Sequence, residues 1–298
     1  MMVFDQLRVP PGGSFRLSER DPAATPGFTA KKDGKDRLES GISRLCELQE
    51  KLYAQDRWAL LLIFQAMDAA GKDSTIEHVM SGINPQGCQV FSFKAPSNEE
   101  LDHDFLWRTN RCLPERGRIG IFNRSYYEEV LIVRVHPGIL AGQKLPGSLV
   151  TKRVWQERYE DINASERYLT RNGIAIRKFF LHVSKEEQRR RFLDRLEEPE
   201  KNWKFSVNDA KERDHWEAYM QAYEDCLRAT STEHAPWYVV PADHKWYMRM
   251  AVAELVVQAL EGLDLEFPKI DKEQRAELEE ARKLLEAEGG KERGKKHS

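Results

Sequence analysis

The chain has 298 residues, which favours one α/β core with additions over two large domains. Charged residues make up 32% but the formal net charge is only -2, so global charge predicts neither a nucleic-acid partner nor a membrane partner, and any basic site must be local. Four distant cysteines, the absence of a signal-peptide pattern and apolar runs too short to span a bilayer predict a cytoplasmic protein.

Helical and strand patterns alternate along the chain. Residues 1–35 are rich in proline, glycine and charge, and we expect an extended arm there rather than a packed element. Strands are predicted at 58–65, 87–93, 118–123, 174–183 and 237–242. Helices are predicted at 35–55, 72–83, 97–110, 151–173, 184–196 and 206–229, with another beginning after residue 123 and one ending near 260. This alternation favours a largely parallel, doubly wound sheet.

The C-terminal segment changes character from about Asp271. Charged residues dominate it, and the pattern predicts a helix that ends at Gly289 and a disordered tail after it. A solvated appendage is favoured over a helix that binds a partner.

The stretch LLLIFQAMDAAGKDST (60–75) joins an apolar strand to a helix through a loop of small residues ending in Gly71 and Lys72. In such a loop, backbone N–H groups and the helix N-terminus can surround an anion while the lysine neutralises phosphate charge. The stretch departs from G-x-x-x-x-G-K-[ST] at Ala66 and Asp73. The alternative, an incidental turn with a solvated lysine, is disfavoured by the strand before it and the helix after it.

Asp68 is an unusual residue for an anion-binding loop. Phosphate would repel its carboxylate unless a cation lay between them, and Mg²⁺ binds one or two carboxylates together with phosphate oxygens and water. We therefore predict that Asp68 is a metal ligand. The alternative is an aspartate that caps the following helix.

Two more groups of residues point to phosphate chemistry. The strand at 118–123 should lie beside the strand of the loop, so that Asn123 offers an oxygen to the metal and Arg124 faces the phosphates. The helix SKEEQRRRFLDRL (184–196) places Arg191 and Arg195 on one side, as in an arginine-bearing lid. A solvated basic surface paired with the glutamates of the same helix is the alternative for this helix.

Several segments together resemble the polyphosphate kinase 2 family. They are AMDAAGKDSTIEHVMSGINPQGCQVFSFKAPSNEELDHDFLWR, IGIFNRSYYEEVLIVRVHP, SKEEQRRRFLDRLEEPEKNWKFSVNDAKERDHWEAYMQAYEDCL and APWYVVPADHKWYMRM, and the resemblance extends from about Arg8 to Leu260. The segment FNRSYYEEVLIVRVHP looks most like class III, whose members phosphorylate both AMP and ADP. The resemblance implies an α/β, three-layer P-loop kinase-like fold over 36–262, with a mostly parallel central sheet flanked by helices and an α-helical lid at about 184–213. Residues 263–298 would form the charged helix and flexible tail.

The resemblance also implies an activity. This is reversible, Mg²⁺-dependent transfer of the terminal phosphoryl group of inorganic polyphosphate to AMP and ADP, forming ADP and ATP, with Mn²⁺ as an alternative metal. Relatives indicate a homodimer or homotetramer. The acceptor would be a phosphate oxygen that is already anionic, so no general base is required.

The resemblance also implies the site residues, because they match positions in the motifs of the family. The expected catalytic residues are Asp68, Lys72, Arg124, Glu128 and Arg191, with Glu128 matching the acid that class III links to AMP use. The expected phosphate- or nucleotide-binding residues are Ala69, Ala70, Gly71, Asp73, Ser74, Lys94, Asn123 and Arg190. Asp68 would hold the metal, together with Asn123, although many relatives have aspartate at the latter position.

A long polyanionic donor also needs a basic track beyond the loop. The candidates are Lys94, Arg108, Arg111, Arg116, Arg118 and Arg134. Two other functions are retained as rivals. One is an ATP-dependent nucleoside monophosphate kinase, which Ala66 and Asp73 disfavour. The other is a non-catalytic module that binds polyphosphate or nucleotide.

Overall fold

One parallel sheet of five strands organises the part of the chain that the structure describes, residues 4–204 and 206–294 of a computed structural model. The strand order is β2-β3-β1-β4-β5. The strands are β1 (Ala59–Ala66), β2 (Cys88–Ser92), β3 (Ile119–Asn123), β4 (Ile174–His182) and β5 (Trp237–Pro241). The central strand β1 is paired on both sides and its residues 59–65 are buried, which explains its continuous apolar run.

Helices flank the sheet, so the predicted α/β class with a mostly parallel central sheet is confirmed. The long helix α1 packs against α11, and α7 packs against α10. The helices are α1 (Lys31–Gln55), α2 (Lys72–Val79), α3 (Asn98–Leu101), α4 (Trp107–Asn110), α5 (Ile132–Val135), α6 (Pro137–Ala141), α7 (Val154–Arg171), α8 (Lys185–Glu197), α9 (Val207–Glu212), α10 (Trp216–Thr230), α11 (Lys245–Glu261) and α12 (Lys272–Gly294).

The N-terminal segment is packed, and the prediction of an extended arm over 1–35 is wrong for its described residues. Its core residues are Phe4, Leu7, Val9, Phe15 and Leu17. The Val9 amide donates to the Trp237 carbonyl at 2.9 Å, and Arg8 forms an antiparallel bridge with Tyr238. The segment thus covers the edge strand β5. Its apolar residues are scattered among prolines and glycines, so they show no periodicity in the sequence. Residues 1–3 of the predicted arm lie outside the described residues.

Three predicted helices are interrupted. The segment 97–110 forms α3 and α4, because the Asp104 side chain accepts from the Leu106 amide at 3.0 Å and starts a new turn. Residues 126–130 form a 3₁₀ helix before α5. The segment 206–229 divides into α9 and α10 around another 3₁₀ turn at 213–215. The interruptions shape the carboxyl edge of the sheet, where the polar residues of interest lie.

The C-terminal segment, 266–298, is a separate compact unit. Its helix α12 continues through Gly289 to Gly294, so the predicted stop at Gly289 is wrong. A glycine costs a helix only about 1 kcal/mol, which does not by itself end it. Residues 295–298 of the predicted flexible tail lie outside the described residues. No helix in the described residues combines the length and the apolar character needed to cross a membrane.

A buried ion pair joins β4 to α7. The Lys178 ammonium lies 2.6 Å from the Glu166 carboxylate, and both side chains have no exposed surface. Lys178 also donates to the Tyr127 hydroxyl and the Thr230 carbonyl, at 2.8 and 2.7 Å. Burial lowers the pKa of Lys178, and the nearby Glu166 carboxylate opposes this effect. The pair is stable because each charge is held by several partners at once.

Removing one partner of this pair should therefore be costly. We expect Lys178→Met to lower the free energy of unfolding by about 3–5 kcal/mol, since Glu166 is left buried without its cation. The double variant Lys178→Met/Glu166→Gln should recover a large part of that loss. Denaturant unfolding followed by circular dichroism measures both variants. A double variant no more stable than the single one would contradict this account.

Candidate active site

The loop between β1 and α2 has the backbone shape of an anion-binding turn. Ala69 and Gly71 have positive φ angles of 60° and 105°, and Gly71 is the N-cap of α2 without a side-chain cap. The alternative of Asp68 as a capping residue is therefore wrong. The Lys72 ammonium donates back to the Ala66 carbonyl at 3.1 Å, which closes the loop on itself. This arrangement directs the N-terminus of α2 at the space above the loop, where an anion could bind.

A cleft of about 790 Å³ opens above this loop. Basic side chains outnumber acidic ones in its lining. The predicted site residues that line it are Asp68, Ala69, Gly71, Lys72, Asp73, Ser74, Lys94, Asn123, Arg124 and Arg191. Ala70, also in the loop, is completely buried and is not among the lining residues. The cleft thus has the size and charge for an extended phosphate compound.

Lys72, the cation at the end of the loop, is buried, with 9% of its surface exposed. Burial lowers its pKa, as does the neighbouring Arg124, while the carboxylates of Asp68, Glu128 and Asp73 act in the opposite direction. An anion in the cleft would favour the charged form of this lysine.

Arg124 lies between two predicted site carboxylates. Its guanidinium is 2.8 Å from Asp68 and 3.3 Å from Glu128. Burial alone would lower the Arg124 pKa, but the two carboxylates outweigh this effect and raise it above its ordinary value. Its backbone has a φ of 64°, an uncommon conformation for arginine, and its amide donates to the Phe64 carbonyl. This backbone turn at the end of β3 aims the side chain across the end of β1.

Oxygen atoms suited to a hard cation line the cleft together with Asp68. The Asn123 amide nitrogen donates to Asp73 at 2.6 Å, which leaves the Asn123 amide oxygen as an acceptor. Among the described residues, no three histidine, cysteine, aspartate or glutamate side chains form a metal cluster. Mg²⁺ does not need one, because it binds one or two carboxylates and completes its shell with phosphate oxygens and water. Asp68, Asn123 and Asp73 fit that requirement.

Arg191, the predicted lid arginine, lines the cleft, but its guanidinium is held by other groups of the protein. It is 4% exposed, and its guanidinium donates to four backbone carbonyls and one carboxylate. The acceptors are Ala69, Ala70, Ala242, Asp243 and Glu187, at distances of 2.6–3.1 Å. A guanidinium has five N–H groups, and in this structure all five are directed at these acceptors. The i, i+4 spacing with Arg195 is real, but sequence could not show that the arginine one turn earlier points into the protein.

Arg190 lies outside the cleft lining, contrary to its prediction as a phosphate-binding residue. It is exposed and pairs with Glu187 and Asp194 on its own helix. Arg190 thus belongs to a solvated basic surface paired with acidic residues of the same helix, which is the alternative to a lid. Arg195, one turn beyond Arg191, lines the cleft as Arg191 does.

A second, smaller pocket of about 200 Å³ shares Asp68 and Arg124 with the cleft. Glu128 lines it and is held by the Gln65 amide at 2.9 Å. Its other lining residues are Ala66, Met67, Leu131, Ile132, Asn208, Asp209, Glu212, Tyr219 and Tyr223. Tyr219 and Tyr223 are both buried, and both border this pocket. Two binding spaces therefore meet at one arginine–aspartate pair.

The predicted basic track is mostly wrong. Of its candidates, Lys94 alone lines the cleft in the described part of the chain. Arg108 is buried and donates to the Lys94 carbonyl at 2.7 Å, and Arg134 pairs with Asp225. Arg111, Arg116 and Arg118 are engaged with Glu99, the Arg57 carbonyl and Glu115.

Two cations of α11 were missed by the sequence analysis. Lys245 and Arg249 both line the cleft, one turn apart on the helix that follows β5. The signal for them is positional, because loops at the carboxyl ends of parallel strands converge on one edge of the sheet. Identifying them required the strand order, which places β5 on the same side of β1 as β4.

Comparison with known proteins agrees with this geometry. The chain is 54% identical over 281 residues to a Rhodopseudomonas palustris protein named ADP-polyphosphate phosphotransferase, covering 94% of this chain and 97% of the relative. A Meiothermus ruber protein named AMP/ADP-polyphosphate phosphotransferase is 45% identical, with 89% and 95% covered. The crystal structure of polyphosphate kinase 2 from Arthrobacter aurescens TC1 superposes with a TM-score of 0.84 at 45% identity, covering 93% of this chain and 96% of that one. Residues 29–268 match the family described as Polyphosphate kinase 2 (PPK2), and the chain belongs to that family.

Proposed function

We propose that this protein transfers the terminal phosphoryl group of inorganic polyphosphate reversibly to AMP and ADP, forming ADP and ATP in a Mg²⁺-dependent reaction. The observation that carries the proposal is that two pockets meet at Asp68 and Arg124. One is a basic cleft above the phosphate loop, which suits a phosphate chain. The other is smaller and partly aromatic, which suits a nucleotide. The names of the similar proteins supply the same donor and acceptors.

Positioning and charge neutralisation account for the chemistry. Lys72 and the N-terminus of α2 would hold the terminal phosphate of the donor, with Lys94, Arg195, Lys245 and Arg249 along the chain. Arg124 would bind both donor and acceptor, because it borders both pockets. The attacking group is an anionic phosphate oxygen, so proton removal is not needed. Bound Mg²⁺, or Mn²⁺ as an alternative, would supply charge neutralisation at the transferring group from Asp68 and Asn123.

Glu128 supports the use of AMP as well as ADP. AMP is one phosphate shorter, so an oxygen of AMP reaches the same reacting position only if its nucleoside lies deeper in the second pocket. Glu128 lines that pocket beside Arg124 and is fixed by Gln65. One relative is named for both acceptors and another for ADP alone. The homodimer or homotetramer, the cytoplasmic location and the absence of a nucleic-acid partner stay predictions.

The decisive experiment offers AMP and Mg²⁺ with either long-chain polyphosphate or ATP as donor and follows the nucleotides by chromatography. We expect ADP and then ATP to accumulate with polyphosphate. Faster ADP formation from ATP than from polyphosphate would support an ATP-dependent kinase instead. Polyphosphate binding without turnover would support a non-catalytic module.

Asp68 should be required for turnover. Replacing it with asparagine keeps its size but removes the charge that attracts the metal, so kcat/KM should fall by at least about 100-fold. Asp194→Asn is the matched control, because Asp194 also lines the cleft but lies on α8 and pairs with Arg190. We expect the control to retain most of its activity. Comparable kcat/KM values for the two variants at low Mg²⁺ would refute the metal role.

Glu128 should distinguish the two acceptors. We expect Glu128→Ala to lower kcat/KM with AMP by about 10-fold or more and with ADP by about threefold at most. Glu212→Ala is the control, since Glu212 lines the same pocket but bonds to Tyr219 and His136. Initial rates with each acceptor at saturating polyphosphate measure the ratio. Equal losses with AMP and ADP would remove Glu128 from acceptor selection.

A further inference from the structure

Three successive carbonyl groups of the phosphate loop are held by two buried side chains of α8. The Gln188 amide donates to the Asp68 carbonyl at 2.9 Å. The Arg191 guanidinium donates to the carbonyls of Ala69 and Ala70 at 3.1 and 2.7 Å. Gln188 is 1% exposed and Arg191 is 4% exposed, so water does not compete for these contacts. Two buried side chains of α8 therefore hold the loop backbone through hydrogen bonds to its carbonyl groups.

These contacts determine which way the loop amides point. Across a planar trans peptide, the carbonyl and the next N–H lie on opposite sides. When the Asp68 and Ala70 carbonyls are drawn to α8, the N–H groups of Ala69 and Gly71 are turned the other way, and both residues line the cleft. Ala69 has a φ of 60°, which is costly for alanine and needs support from its surroundings.

The same two side chains connect the loop to its neighbours. The second nitrogen of Arg191 donates to the carbonyls of Ala242 and Asp243, just after β5. The Gln188 oxygen accepts from Arg213 at 2.7 Å, and Arg213 also donates to the Lys185 carbonyl. Arg213 stands at the end of the segment predicted as the lid. The shape of the loop is thus tied to both the β5–α11 connection and the end of the lid segment.

We propose that Gln188 and Arg191 are positioning residues of the phosphate loop, which orient its amides toward the anion and do not touch the anion themselves. The proposal rests on the proposed function for the identity of that anion as a phosphate chain. Both Arg191 and Arg195 line the cleft, but the Arg191 guanidinium is bound to protein acceptors, whereas Arg195 would act as a cation on the phosphates. Lysine can replace a cation that acts through charge, but it cannot reproduce a planar fork that holds four carbonyls.

The test compares Arg191→Lys, Gln188→Met and Arg195→Lys. Tripolyphosphate binding without nucleotide is measured by calorimetry at several salt concentrations. We expect Arg191→Lys and Gln188→Met to weaken binding by about tenfold or more, and Arg195→Lys by about threefold at most. The salt dependence should stay as in the wild type for Arg191→Lys, because no phosphate contact is lost. Near-wild-type affinity in both Arg191→Lys and Gln188→Met would overturn the proposal.

Hydrogen exchange of peptides covering residues 66–75, without any substrate, supplies an independent measurement. The loop amides should exchange faster in Arg191→Lys and Gln188→Met than in the wild type and Arg195→Lys, while the peptides of β1 remain protected. Unchanged exchange in both variants would overturn the proposal that Gln188 and Arg191 position the loop. If Arg191→Lys fails to fold, Gln188→Met decides on both measurements. A wild type that binds no tripolyphosphate would refute the proposed function. Hydrogen exchange of the loop amides would still test whether Gln188 and Arg191 position the loop.

Discussion

The position of one arginine between two carboxylates governs the organisation of this site. Arg124 follows the last residue of β3 in a left-handed conformation and reaches Asp68 and Glu128, which come from different segments. Because β3 is paired in parallel with β1, the arginine and the phosphate loop emerge at the same edge of the sheet. The strand pairing therefore places the charges, and the two pockets form around them.

This arrangement explains how a loop that binds anions tolerates an aspartate. Asp68 is neutralised by Arg124 within the protein, so its charge does not oppose phosphate unaided. When a cation is bound, the cation and Arg124 would together neutralise the carboxylates of Asp68 and Glu128. Lys72, by contrast, is a buried cation whose pKa is lowered by its surroundings. A bound phosphate would oppose this effect and stabilise its charged form.

Sequence predicted the sheet, the loop and the strand-end polar residues well, because each depends on local periodicity and on the rule that parallel strands share a carboxyl edge. Prediction from the sequence failed where the role of a residue depends on the direction of its side chain or on contacts with segments distant in the chain. Helical spacing put Arg191 and Arg195 on one side of α8 but could not show that the guanidinium of Arg191 is bound to carbonyl groups of the loop. Lys245 and Arg249 were missed because nothing local links α11 to the loop. The N-terminal arm was misjudged because its apolar residues have no period.

The packed N-terminal segment has a further consequence for the molecule. Strand β5 is the last of the sheet, and an uncovered edge of this kind is a template for β-pairing between chains. The contacts of Val9 with Trp237 and of Arg8 with Tyr238 occupy part of that edge from within the same chain. Removing Arg8 and Val9 would therefore expose backbone groups of β5 to pairing with another chain, a consequence separate from catalysis that would constrain where the chain can be shortened.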